Sequence, residues 1–456
     1  FIATDIQGPY FSVPLEDEIW ISAGKRMDLN EAKNILNEKK TVFENNADRF
    51  TPELKNTWTG IITSLGYNTI YDPSKDRVVS TVARSWNVDR GGYAFFGWDN
   101  FFLAYLCALE DRGLAFANVI EHLNDRTPEG FIPNTSQGNG RQTLDRSQPP
   151  VGSMMVKEIY KMYPEKWFLE AVFDKLLIWN RWWMENRYHD GLLCWGSNEG
   201  GNPYHDNNYH NFGGAILETG LDDSPMYLDV PFNSETNLLE LHDIGLNSLY
   251  VEDCESLAEL ANILGRDEDA EELTKRAEKL KSKLSELWSE KMGVFLNKRT
   301  DTNEFSEVLA PTLFYIWLTG IPSDAQTESM IARYLLNTAE FWGDYVLPSI
   351  SKTDPHFRTQ KYWKGAVWAP LNFLVYLSLR DAGLYDEASL LAKKSEELFR
   401  NEWKEHRYVA ENYSSLDGTS DNPLLNSHRF YTWGALMGIM EFMEEGYLPE
   451  YEKGVQ

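Results

Sequence analysis

A helical repeat of apolar residues, running from about residue 50 almost to the end, constrains this chain more than any other feature. Leu257, Leu260, Ala261 and Leu264 recur at three- and four-residue spacing. After Gly265 a second set follows: Leu273, Ala277, Leu280, Leu284 and Leu287. Such spacing lines one face of an α-helix, so each segment must bury a stripe against another element. Gly265 fits the position just past a helix C-terminus, and Asp267 fits the N-cap of the next helix. "ILGRDEDAEEL" (263–273) is echoed by "DAGLYDEASLL" (381–391), both reading as helix, glycine, short turn, helix. Further long helices are expected at 98–111, 149–162, 165–186, 236–264, 305–319, 326–338, 362–381 and 427–445. Many antiparallel helical hairpins with little strand predict an all-α fold, a closed ring of helix pairs with loops gathered at one end around a central cavity. A solenoid is the alternative, and the absence of a strict period counts against it.

The first 45 residues differ. "PYFSVPLEDEIWISAGKRM" alternates around Ile19 and Ile21 and reads as strand, and "DLNEAKNILNEKKTVFE" reads as a helix capped by Asp28 or Asn30. The expected organisation is therefore an N-terminal segment, 1–45, followed by a helical domain, 46–456. The segment is either the tail of an upstream β-rich unit or a strand leading into the main domain. The chain opens on Phe1, which suggests that something upstream was cleaved or left out. No signal peptide is recognised, so the compartment stays open, with periplasm or secretion favoured over cytoplasm.

A net charge of −27 argues against binding nucleic acid or an anionic membrane, since both need a basic footprint. No apolar run approaches the roughly 18 residues that a membrane span needs. Cys107, Cys194 and Cys254 are odd in number and far apart, which disfavours a disulfide framework or a cysteine metal cluster. They are expected to be buried structural thiols. His205 and His210, in "HDNNYH", lack the helical spacing of zinc-hydrolase ligands and read as loop polar groups. No metal or other cofactor is expected; a structural calcium in the Asp- and Asn-rich loops has no motif behind it. The oligomeric state stays open. Several of the 16 tryptophans sit beside Asp, Glu, Asn or Gln, a pairing of aromatic faces with polar groups that suits sugars.

Six polar-aromatic segments stand between or at the ends of the helices. They are "FFGWDNFF" (95–102), with Trp98 and Asp99 at a helix start; "GFIPN" (130–134); "DRSQPP" (145–150), with Pro149 and Pro150 placed to open a helix; "ETGLDDSP" (218–225); "YWKGAVWAPLNF" (362–373); and "AENYSSLDG" (410–418). Any one of them has an ordinary explanation: Asp99 as a cap, Arg146 paired with Asp145, Glu411 as a surface acid. Six on one helical chain point to a ligand site.

In order and number, these segments resemble the clan of inverting α-glycosidases built on a six-hairpin (α/α) barrel. The clan includes glycoside hydrolase family 63, its mannosylglycerate and glucosylglycerate hydrolases, and the family 37 trehalases. "WDNFF" is similar to a Trp-Asp-aromatic motif, and "GFIPN" with "DRSQPP" to the trehalase and glucosidase segment. "ETGLDDSPM" resembles E-S-G-x-D-x-S, "YWKGAVWAPLN" resembles Y-W-R-G-x-x-W-x-P-x-N, and "AENYSSLDG" resembles an E-x-Y motif. "FYTWGAL" (430–436) matches the usual last helix. The resemblance covers about 75–445.

It implies an exo-acting inverting α-glycosidase, with a carbohydrate as its partner, that hydrolyses an α-linked glucoside. Asp222 would be the general acid and Glu411 the general base, with their carboxyls roughly 6.5–9.5 Å apart to admit the attacking water. Trp98 and Asp99 would hold the non-reducing sugar, and Asn134, Arg146 and Gln148 would line the same pocket. Glu218 would orient Asp222 or bind a hydroxyl, and Gly220 would allow a tight backbone approach. Trp363, Lys364 and Trp368 would wall the site. The chain departs from the pattern twice. Asp223 stands where the family has Asn or an aromatic, making a second candidate acid, and Lys364 replaces Arg, losing the planar fork. Hexosylglycerate hydrolysis and trehalose hydrolysis share the acid, base and first sugar subsite. They differ in the aglycone subsite, built by loops such as 196–212. A phosphorylase or a non-catalytic sugar-binding protein on the same barrel are the further alternatives.

Overall fold

The structure, a computed structural model, describes residues 26–84, 92–205 and 207–448, together with Ile19. The strand expected around Ile19 and Ile21 therefore lies outside the described residues, save Ile19 itself. Two compact units are present, Phe1–Lys55 and Asn56–Gln456. In the first, a helix runs over Leu29–Ala47, and Asp28 caps it by accepting the backbone N–H of Asn30 at 2.9 Å.

The second unit is the helical ring. Six segments form its inner wall: Gly97–Cys107, Gly152–Met162, Ile244–Leu264, the 3-10 segment Pro311–Thr319, Ala369–Asp381 and Leu436–Glu444. Each packs on the next, and the last closes on the first. Their composition explains their place. Every residue of Gly97–Cys107 and of Pro311–Thr319 is buried, and a helix apolar on all sides has no face to offer water. The outer helices (Pro52–Asn68, Arg112–Asn124, Lys166–Asn186, Asp267–Leu284, Asp324–Met330 and Tyr385–His406) alternate with them along the chain. These are one-sided. In Asp267–Leu284 only Ala270, Leu273, Ala277, Leu280 and Leu284 are buried, the last four of them belonging to the stripe read from the sequence.

Helix ends follow local chemistry. Gly265 takes a φ of +73°, and the Arg266 N–H returns to the Ala261 carbonyl at 2.9 Å, the left-handed closure that glycine permits without steric cost. The next helix includes Asp267 in its first turn and is capped at Arg266, one residue earlier than expected.

Several expected helices begin late. The helix expected at 236–264 starts at Ile244, where Asp243 accepts the Leu246 N–H at 2.9 Å. Before it, Leu238–Leu239 and Leu241–His242 are strands paired with Phe232–Asn233 and Lys298–Arg299. In 305–319 only the stretch from Pro311 is helical, and in 362–381 only that from Ala369, because Tyr362 and Gly365 adopt positive φ. The helix after Pro149 and Pro150 opens at Gly152, and 427–445 becomes helical at Thr432. Periodicity did not flag Arg112–Asn124 or the short Phe212–Glu218.

Small antiparallel pairings tie loops together at one end of the ring. Ala94–Phe96 pairs with Thr135–Gln137, and Val367–Trp368 with Asn412–Tyr413. The three cysteines are buried and free. Among the described residues no helix is long and apolar enough to cross a membrane.

Candidate active site

The start of Gly97–Cys107 and the segments that precede Gly152–Met162, Ile244–Leu264, Ala369–Asp381 and Leu436–Glu444 line a cavity of about 390 Å³. Three carboxylates line it (Asp99, Asp222 and Glu411), with three indoles (Trp98, Trp363 and Trp433) and three phenols (Tyr204, Tyr362 and Tyr431). Asn134, Arg146, Gln148 and Gly220 complete the expected set that reaches it. Segments far apart in sequence thus meet at one cavity.

Each is held by identifiable contacts. Gln148 accepts the Trp98 N–H at 3.2 Å, and Gly97 gives it room, since a Cβ there would lie 2.7 Å from the Gln148 Cβ. Gly220 has a φ of +71°, and a Cβ on it would meet the Trp98 ring at 2.8 Å. The tight approach expected of this glycine is therefore against Trp98. Arg146 donates to both oxygens of Asp145, at 3.0 and 2.9 Å, and to the Asn208 carbonyl at 2.7 Å. Tyr431 donates to Asp99 Oδ1 at 2.7 Å.

Glu411 is almost wholly buried. Its Oε2 accepts the His428 N–H at 3.0 Å and its Oε1 the Tyr362 hydroxyl at 3.3 Å. Trp433 Nε1 donates to its backbone carbonyl at 3.0 Å. Burial pushes the Glu411 carboxyl up to about 8, against the His428 bond; the charges of Asp99 and Asp222 add to the rise. Burial likewise lifts Asp99 to about 7, with Asp222 contributing and Tyr431 opposing. Asp99 and Glu411, desolvated beside one another and beside Asp222, thus hold protons to higher pH than isolated carboxyls would.

Glu218, Lys364 and Trp368 do not line the cavity. Glu218 forms a fully buried pair with Arg187, through Nε at 2.6 Å and Nη2 at 2.8 Å. It also accepts the N–H groups of Ser147 at 2.8 Å and Gly196 at 2.7 Å. These four bonds occupy a carboxylate's acceptor capacity, so the expected role toward Asp222 or a sugar hydroxyl is replaced by one of joining loops. Lys364 turns to Asp223 at 3.0 Å, which also accounts for the second acid of the pair. Trp368 stacks on Trp363 at 3.7 Å and 8°, supporting the wall from behind. Asp417 is exposed and accepts from Asn422 at 2.7 Å.

Tyr362, Tyr431 and Trp433 lie within the motifs, but an aromatic residue among aromatic neighbours carries no separate signal in the sequence. Tyr204 comes from the loop 196–212. His205 is exposed on that loop, and His210 bonds Asn237 at 2.8 Å. Among the described residues no group of three or more His, Cys, Asp or Glu is arranged to hold a metal ion.

A closed ring of hairpins with acids, indoles and phenols around one cavity is the construction of an (α/α)-barrel glycoside hydrolase. The family model of the mannosylglycerate hydrolase MGH1-like glycoside hydrolase domain matches residues 93–434, and the chain belongs to that family. It is 21% identical to mannosylglycerate hydrolase MGH1 of Selaginella moellendorffii over 385 residues, 69% of this chain and 76% of that protein. It is 24% identical to the mannosylglycerate hydrolase of Thermus thermophilus over 345 residues, 64% of this chain and 79% of that one. A solved structure of a glycoside hydrolase family 63 mannosylglycerate hydrolase from Thermus thermophilus, in complex with glucose, superposes with a TM-score of 0.68. It covers 84% of this chain and 99% of its own, at 19% identity.

Proposed function

We propose that the protein is an exo-acting inverting α-glycosidase that cleaves an α-linked glucoside, with Asp222 as general acid and Glu411 as general base. The observation that carries this is the meeting of both carboxylates, 189 residues apart in sequence (411 − 222), at one cavity walled by tryptophans. Asp222 gives its proton to the glycosidic oxygen as the bond breaks. Glu411 takes a proton from the water that attacks the anomeric carbon from the opposite face. The products are a β-configured sugar and a free alcohol, and the two carboxyls have exchanged protonation states. Asp99 accepts from sugar hydroxyls while Trp98, Trp363 and Trp433 pack on the ring. A cavity of about 390 Å³ suits a disaccharide-sized ligand better than a polymer.

A second reading, a hexosylglycerate hydrolase, is supported by the relatives named above. Arg146 is the cation among the described lining residues, and a glycerate carboxylate would share it with Asp145.

The test is proton NMR of the released sugar in the first minutes of reaction with kojibiose, nigerose, maltose, trehalose, glucosylglycerate and mannosylglycerate. Early β-anomer from one substrate is expected. Early α-anomer would overturn the two-carboxylate water mechanism. Asp222→Asn and Glu411→Gln should each cost about 10²–10⁴-fold in turnover with the fold intact; full activity in either would remove that residue from its role.

A further inference from the structure

The two positions at which the chain departs from the pattern it resembles, Asp223 and Lys364, face each other. Asp223 Oδ2 accepts Lys364 Nζ at 3.0 Å and Oδ1 accepts the Trp363 N–H at 2.9 Å. One carboxylate, next in sequence to Asp222, is thus clamped by two successive residues of the segment 360–368.

That segment is fastened independently to the side that carries Glu411. Tyr362 donates to Glu411 Oε1 at 3.3 Å. Gln360, fully buried, accepts the Ser415 N–H at 2.9 Å and its hydroxyl at 3.1 Å. Val367–Trp368 pairs with Asn412–Tyr413, and Trp368 Nε1 donates to the Tyr362 carbonyl at 3.0 Å. Gln360 and Tyr362 both adopt a φ of +53°, a conformation that L-residues hold only when their surroundings impose it. A Cβ at Gly365 would lie 2.3 Å from the Phe357 carbonyl oxygen, so the bend closes on its own backbone with no room for a side chain there.

We infer that Lys364 is a positioning residue: through Asp223 it locks the turn carrying Asp222 to the segment that holds Glu411, and so sets the separation of acid and base. The inference rests on the assignment of those two residues as the catalytic pair. Trp363 contributes a backbone N–H that any residue supplies, whereas the Lys364 ammonium fixes the rotation of the Asp223 carboxylate. Loss of the ammonium lets the acid turn shift while the cavity walls stay in place. Proton delivery to the leaving group is the step that suffers, since small misplacements of a catalytic group cost turnover steeply.

The test compares two substrate types in wild type, Lys364→Met, Lys364→Arg, Asp223→Asn and, as control, Asp222→Asn. One is the α-disaccharide from the panel above that the wild type cleaves, whose leaving group needs protonation. The other is the α-glycosyl fluoride of the same sugar, whose fluoride departs with little help from an acid. Lys364→Met is expected to lower kcat on the disaccharide roughly tenfold to a hundredfold with KM little changed, and to lower fluoride hydrolysis less than about threefold. Lys364→Arg should restore most of the loss. The double variant Lys364→Met/Asp223→Asn should be no worse than the poorer single variant, because both break one contact. Equal losses on both substrates, or no loss on either, would overturn the positioning role while Asp222→Asn still loses the disaccharide selectively. If Asp222→Asn shows no such selectivity, or the wild type cleaves neither substrate, the acid assignment itself falls, and this inference with it.

Discussion

The Tyr362 hydroxyl reaches Glu411 Oε1 at 3.3 Å from a backbone whose φ is +53°. An aromatic residue held in the left-handed region costs on the order of 1–2 kcal/mol, which the surrounding contacts must offset. The bond favours the charged form of Glu411 and so works against the burial that lifts its carboxyl to about 8. Tyr362→Phe removes it, and Glu411 then ionises at higher pH. The acidic limb of kcat/KM, which reports ionisation of the base in free enzyme, should move up the pH scale. A pH–rate profile checks this, and an unmoved limb would separate Glu411 from that titration.

Asp99 acts with the opposite sign. Its charge helps raise Glu411, so Asp99→Asn should move the acidic limb down the pH scale. Turnover falls as well, since a group that bonds the sugar is altered. The position of the limb, rather than its height, carries the test. Because the acids titrate together, the profile gives apparent values for the cluster.

Stability should carry the same signature. The Glu411 carboxyl titrates near 4.5 when unfolded and near 8 when folded. Between those values the native state binds a proton that the unfolded chain has lost, so this residue's contribution to stability falls as pH rises through that window. Glu411→Gln cannot titrate. Its Tm relative to wild type should therefore climb between pH 5 and pH 8.5, measured by calorimetry at matched ionic strength. A Tm difference independent of pH would contradict the raised carboxyl.

Glu218→Gln should weaken folding rather than sugar binding. It leaves the Arg187 guanidinium buried beside a neutral partner, and breaking a buried pair from one side costs about 3–5 kcal/mol. Urea unfolding should show the loss, with KM of the folded fraction close to wild type.

Gly220→Ala places a Cβ within 2.8 Å of the Trp98 ring at a φ of +71°. About 1–3 kcal/mol of destabilisation is expected from overpacking, together with loss of turnover, because the clash displaces Trp98 of the cavity wall and strains the turn that carries Asp222 two residues on. Thermal unfolding and kinetics on one preparation check both.

What could be read from the chain alone was local. Helix pairs announce themselves through the stripe Leu273, Ala277, Leu280, Leu284 and through Gly265, because periodicity and capping involve residues a few positions apart. The order of "WDN", "GFIPN", "DRSQPP", "ETGLDDSP", "YWKG" and "AENY" carries the resemblance that implied the barrel and nine of the residues that line its cavity. Late helix starts escaped this reading where a left-handed residue or a short strand pairing interrupts an apolar run, as at Tyr362 and Leu238–Leu239. Partner choice among the acids was decided only in three dimensions. Within "ETGLDDSP", Glu218 turns to Arg187, Asp223 to Lys364, and Asp222 faces the cavity. A carboxylate's role is set by the charge, N–H group or empty space that it meets. Those come from segments up to 141 residues away (364 − 223), brought together by closure of the ring.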